Sequence, residues 1–191
     1  MPQKFIGLLT YINNKVNDYF YGSNNKDVSR KEAYADSYVV DDEGMIIGTK
    51  LSSLKGRNVA LCSEKSIAAF IILDNLYKKG KLTRKPSMVL STLATEQTSD
   101  EPHAFILMER EPDNYPTRYL LYDIENPTPV EDENGNKNNF IGIYSLTDDQ
   151  HNDILSGVEC TPTSLFELLQ SGWTDVGAKR IYGSVKLNKT L

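Results

Sequence analysis

The sequence predicts an α+β fold: helices first, then an apolar helix headed by a cysteine, then a mostly antiparallel sheet with short helical insertions. Three observations carry that expectation. Apolar residues recur at helical spacing over 4–20; an apolar segment at 63–79 ends at Gly80; and five strand-like runs follow, at 87–93, 103–109, 118–124, 140–146 and 180–187. No internal repeat or low-complexity segment breaks this order.

Phe5, Leu8, Leu9, Ile12, Val16 and Tyr19 form the stripe of the first helix, which Gly22-Ser23-Asn24-Asn25 should stop. Ser29 and Glu32 have the spacing of a capping box, so a short second helix is expected there. Tyr38–Val40 and 45–47 flank Asp41-Asp42-Glu43-Gly44 and read as a hairpin. The 63–79 helix is apolar on nearly every side in its first half, which predicts burial all round, with Ser63 as its cap and Gly80 as its stop. The cations of Lys78-Lys79-Gly80-Lys81 and Arg84-Lys85 then belong to the solvated helix end, where the dipole favours positive charge. Thr147 with Gln150, and Ser164 with Glu167, predict two more capped helices. Asp132-Glu133-Asn134-Gly135-Asn136 has the look of a calcium loop, but its glycine comes early and Ile143 stands where a carboxylate is required. Asn134-Gly135 therefore reads as a turn between strands.

A chain of 191 residues with 39% hydrophobic and 25% charged residues suits one ordinary globular domain, 1–191. Within it, 1–55 holds the N-terminal helices and hairpin, 56–128 a core segment bearing the chemistry, and 129–191 the remaining strands and short helices. The net charge is −5 and no long basic block occurs, so no nucleic-acid partner is expected. The longest apolar run, 67–73, is far below the ~20 residues that span a bilayer. Two cysteines, Cys62 and Cys160, form neither a disulfide framework nor a zinc spacing, which favours a reducing compartment. With no secretory signal visible, the cytoplasm is expected; export by a dedicated machine is the alternative.

Cys62 heads the apolar helix, and a helix N-terminus favours a thiolate. A nucleophilic cysteine also needs a base, and the base an orienting group. A free cysteine can equally be a small buried hydrophobe. Of the two histidines, His151 lies in a polar helical turn that reads as surface, whereas His103 leads an apolar strand after the polar stretch 94–102. The His103 strand and the 118–124 strand, joined through the turn-rich 110–117, should form an antiparallel hairpin. Pairing Leu107 with Tyr119 and Phe105 with Leu121 sets His103 directly opposite Asp123, on one face. The carboxylate then orients the imidazole; the alternative is an aspartate serving a strand-end turn beside Asn126-Pro127.

Over 56–128, just over a third of the chain, the sequence resembles the transglutaminase-like group of papain-like thiol enzymes. The shared pattern is Cys62 heading a helix, then His103-Ala104-Phe105, then Asp123 before Asn126-Pro127-Thr128. The resemblance implies a papain-like core with Cys62 as nucleophile, His103 as base and Asp123 as orienting acid, and no metal or organic cofactor. The chain departs from the family pattern beside the thiol: Ser63 replaces a tryptophan, and Ala60-Leu61 stands where glycine and glutamine are common. The Cys62 main-chain N–H is then one oxyanion-hole candidate, with Asn58 or another nearby amide as the second.

These residues lead to an expected activity: attack on an amide or peptide carbonyl through a thioester, ending in hydrolysis by a peptidase, amidase or deamidase. An amine-accepting acyltransferase uses the same three groups, and a binding module without turnover is the non-enzymatic alternative. The expected partner is a protein or peptide substrate. Trp173 and Tyr182 are candidate walls of a substrate groove, with packing as the alternative role, and Cys160 reads as structural.

Overall fold

The computed structural model describes residues 2–21, 29–95, 98–111, 117–169, 172–183 and 189–190. The expected stop at Gly22-Ser23-Asn24-Asn25, the centre of the 110–117 turn, part of the 94–102 stretch and the end of the 180–187 strand lie outside the described residues. The apolar stripe of α1 (Pro2–Tyr21) buries Leu9, Ile12, Val16 and Phe20. At α2 (Arg30–Ala35) the capping box forms: Glu32 N–H donates to Ser29 Oγ at 3.2 Å, and Ser29 N–H to Glu32 Oε2 at 3.1 Å. β1 (Tyr38–Val40) and β2 (Ile46–Thr49) make the hairpin, with Asp41 Oδ1 accepting from the amides of Glu43 and Met45. A single 3-10 turn, Leu51–Leu54, precedes α3 (Cys62–Lys78).

The second half builds the sheet. Its main strands are β3 (Lys85–Thr95), β4 (Thr98–Glu109), β5 (Tyr119–Asp132) and β6 (Lys137–Leu146). After α4 (Asp148–Ser156) come β7 (Thr163–Ser164), α5 (Leu165–Leu169), β8 (Trp173–Asp175), β9 (Arg180–Tyr182) and β10 (Lys189–Thr190). The strand order is β10-β3-β4-β5-β6-β7, with β9 on β3 and β8 on β5, and these pairings are antiparallel. The architecture is mixed α+β. Asp132 Oδ1 accepts from the amides of Asn134 and Asn136, so the β5–β6 connection is turn chemistry. Among the described residues, no helix is long and apolar enough to cross a membrane.

The pleat sends alternate residues to two cores. Ile106, Met108, Leu120, Tyr122 and Ile143 pack with α1 and α3; Phe105, Leu107, Leu121, Tyr144 and Leu146 pack with Ile154, Cys160 and Tyr182 on the other side. Two expectations fail here. α3 is not buried all round: Ile71 is 48% exposed, because the helix meets the sheet and α1 through Ala69 and Leu73 and turns its other side outward. Ser164 does not cap α5: it pairs with Tyr144 as a strand residue, and its Oγ has no partner among the described residues.

The β4–β5 register also differs from expectation, and this decides the site. Leu107 pairs with Leu121, not Tyr119, and the ladder runs only from Glu109↔Tyr119 to Ile106↔Tyr122. Extended past Ile106, that register sets His103 diagonal to Asp123 rather than opposite it. A shift by two residues preserves the face, so both side chains still point the same way. A diagonal neighbour lies farther off than an opposite one but within reach of a long side chain.

Candidate active site

The position of the Cys62 thiol follows from how α3 starts. Leu61 is the N-cap, and Cys62 is the first helical residue, one position earlier than expected; Ser63 is therefore inside the helix rather than its cap. Glu64 closes the turn by accepting the Leu61 N–H on Oε2 at 2.9 Å. Helical geometry leaves the first-turn amides without acceptors inside the helix, at the end where the dipole favours an anion. One turn on, Ser66 Oγ donates to the Ala104 carbonyl at 2.9 Å, and the Ala104 amide favours the Cys62 thiolate. Ala104 lies just past the last β4–β5 pair, so α3 engages its open peptide edge.

The carboxylate's position follows from a bulge. Asp123 pairs with Gly142, but the next β5–β6 pair is Thr128↔Phe140, so 124–127 arch out against a single residue of β6. Asp123 Oδ1 holds the arch by accepting the amides of Glu125 at 3.1 Å and Asn126 at 3.2 Å. The arch sits on Gly142: a Cβ there would lie 2.3 Å from the Asn126 carbonyl oxygen and 2.5 Å from that of Asp123. Asp123 Oδ2 accepts from His103 Nε2 at 2.8 Å, Asn126 Nδ2 at 3.1 Å and Tyr182 Oη at 2.9 Å. Asp123 thus accepts both from the arch amides and from the His103 ring.

With Nε2 held by the carboxylate, Nδ1 is the imidazole nitrogen left for the thiol, and Cys62 and His103 each favour the other's charged form. The three groups form one chain of charge. Burial opposes a charge on His103, but hydrogen bonds to Asp123 and Cys62 outweigh it and raise its pKa from 6.5 to about 10. Burial likewise opposes the Cys62 thiolate, and the His103 hydrogen bond and charge, with the Ala104 amide, overcome it and hold the thiol below its ordinary range. Burial also works against ionised Asp123, which His103, Asn126 and Tyr182 keep low as donors. The arrangement favours a thiolate–imidazolium pair. A cleft of about 370 Å³ opens over it, lined by Leu61, Ser63, Leu90, Ser91, Pro102 and Ala104 around Cys62 and His103.

Comparisons with protein-family models, curated proteins and solved structures return no match.

The other expected residues take different places. The Asn58 amide donates to the Phe20 carbonyl at 3.1 Å, so that N–H is committed to the fold rather than to an oxyanion. Tyr182 is 0% exposed; it packs on Phe105 and donates to Asp123, supporting the site from behind rather than walling a groove. Trp173 lies on β8 opposite Asp132 with its ring edge-on to Phe166, outside the cleft lining. His151 stacks on Tyr119 at 3.8 Å, away from the thiol. Cys160 is buried in the second core, and burial pushes its thiol up to about 12, matching the structural reading. Among the described residues, no group of three or more His, Cys, Asp or Glu side chains is placed to hold a metal. The contributions of Asn126, Gly142 and the Ala104 peptide were missed from sequence; the Asn-Pro after Asp123 was the available signal for the arch.

Proposed function

We propose that this chain is a cysteine-nucleophile enzyme of the transglutaminase-like kind that attacks an amide or peptide carbonyl and hydrolyses it. One observation carries the reading: His103 sits between a buried, fully hydrogen-bonded carboxylate and a half-buried thiol at a helix N-terminus, in a cleft. The α+β architecture, with the cysteine heading a helix that packs on an antiparallel sheet, supports the same reading.

The Cys62 thiolate attacks the carbonyl carbon, and the first-turn amides of α3 stabilise the oxyanion. As the tetrahedral adduct collapses, the His103 imidazolium gives its proton to the departing amine, leaving a thioester and a neutral imidazole. His103 then takes a proton from water, which attacks the thioester; the acid leaves and the thiolate–imidazolium pair returns. Asp123 holds the ring through both transfers. An amine replacing water at the second step would give transfer in place of hydrolysis.

Alkylation by iodoacetamide, followed against pH with the modified residue located by mass spectrometry, tests the reading. Cys62 should react several-fold faster than an ordinary thiol at pH 6.5, and His103→Ala should return it to ordinary behaviour. An electrophilic peptide library should trap an adduct at Cys62. An inert thiol, or a rate indifferent to His103→Ala, overturns the proposal in favour of a binding module.

A further inference from the structure

The site contains a second ion pair that the chemistry above leaves unused. Lys65, one turn from Cys62 on α3, is 7% exposed, and its ammonium lies 2.5 Å from Glu125 Oε2. Glu125 belongs to the arch that carries Asp123, and its amide is one of those gripping Asp123 Oδ1. The Lys65 ammonium also lies over the Tyr21 ring, 4.5 Å from its centre, while the Tyr21 hydroxyl donates to the Ala60 carbonyl just before the nucleophile. Three pieces of chain meet at this cation: the end of α1, the first turn of α3 and the arch of β5.

A lysine buried to this degree needs a stated reason. The charged and titratable groups around Cys62 give one. His103 on β4 is the cation that favours the thiolate; Asp123 on β5 lies behind it, backed by Tyr182 of β9; Glu64 on α3 is engaged by Leu61 N–H, the Tyr34 hydroxyl of α2 and Arg30. Glu125 is a carboxylate whose charge raises the Cys62 thiol, the smallest of the influences on it. We propose that Lys65 is a positioning residue that ties the nucleophile's helix to the arch bearing Asp123 and cancels the negative charge Glu125 would otherwise set against the Cys62 sulfur. An unpaired lysine would overstabilise the thiolate, and a more stable thiolate is a weaker nucleophile. The pair leaves the thiol governed by His103.

The proposal rests on the enzyme reading for its purpose, but its test does not. The pH at half-maximal Cys62 alkylation is measured in the full chain for Lys65→Met, Glu125→Gln, the double variant and Lys65→Arg. Lys65→Met should move the midpoint to higher pH, with a loss of ~3-fold or more in rate on the acid side. Glu125→Gln should move it to lower pH, and the double variant and Lys65→Arg should return it close to the parent. Midpoints that shift in the same direction, or do not shift, overturn the proposal. Glu125→Gln is nearly isosteric and decides the sign even if Lys65→Met does not fold. An ordinary parent midpoint, unmoved by His103→Ala, overturns the enzyme reading alone, because the opposite shifts remain measurable on an ordinary thiol.

Discussion

Asp123 joins the demands of a turn and of a charged network in one side chain. Its Oδ1 accepts the arch amides and its Oδ2 accepts His103, Asn126 and Tyr182, in a setting where the carboxylate is 1% exposed. Each donor stabilises a charge that burial would otherwise suppress. Tyr182 is the most separable of them, because phenylalanine retains the ring against Phe105 and deletes only the hydroxyl. Tyr182→Phe should therefore destabilise the fold by about 1.5 kcal/mol or more in denaturant unfolding, the size of a hydrogen bond to a charged group. A change under ~0.5 kcal/mol would mean the carboxylate does not depend on that donor. The candidate thiol and base were legible from sequence because so few groups qualify: two cysteines and two histidines, with only Cys62 and His103 heading apolar elements. The role of Tyr182 was not legible. A tyrosine in a late strand looks the same whether it walls a groove or backs a carboxylate.

The β5 arch is the element on which the site turns. It lets β4 and β5 part beyond Ile106, opens the Ala104 peptide to α3, and carries Asp123, Glu125 and Asn126. Gly142 permits it, since any side chain there meets two carbonyl oxygens of the arch. Gly142→Ala should displace the arch, lower the thermal midpoint and slow Cys62 alkylation at pH 6.5 by up to the loss seen in His103→Ala as His103 loses its partner. Gly48→Ala, with nothing near its added Cβ, is the control and should leave the alkylation rate unchanged. Equal rates in the two variants would dismiss the arch as a determinant of the site. The strands themselves were legible through β-branched and aromatic runs. The arch was not, because a bulge is an unequal count between two partners and appears only once both are paired.

For the molecule as a whole, the charge chain links folding to pH. The pKa of His103 rises from 6.5 to about 10 on folding, against burial and through its bonds to Asp123 and Cys62. A raised pKa means that the folded state holds the proton more tightly. The contribution to stability is complete below about pH 6.5 and fades as pH climbs through about 10. Asp123, held low, contributes with the opposite sign and loses its share as pH falls. The difference in thermal midpoint between the parent and His103→Gln should hold from about pH 6.5 through the ordinary thiol range, where the proton His103 keeps is matched by the one Cys62 has given up, and shrink only toward about pH 10. A difference that falls steadily from pH 6.5 onward would show that Cys62 keeps its proton in the folded state. Composition, periodicity and capping patterns were enough to set the α+β class, the order of helices and strands, and the cysteine at the head of a helix, because these are local preferences summed over short windows. The two-residue shift in the β4–β5 register, the arch on Gly142 and the meeting of Lys65 with Glu125 were decided only by tertiary structure. Each depends on which distant segment fills the space beside it, and packing between segments leaves no periodic trace along either one.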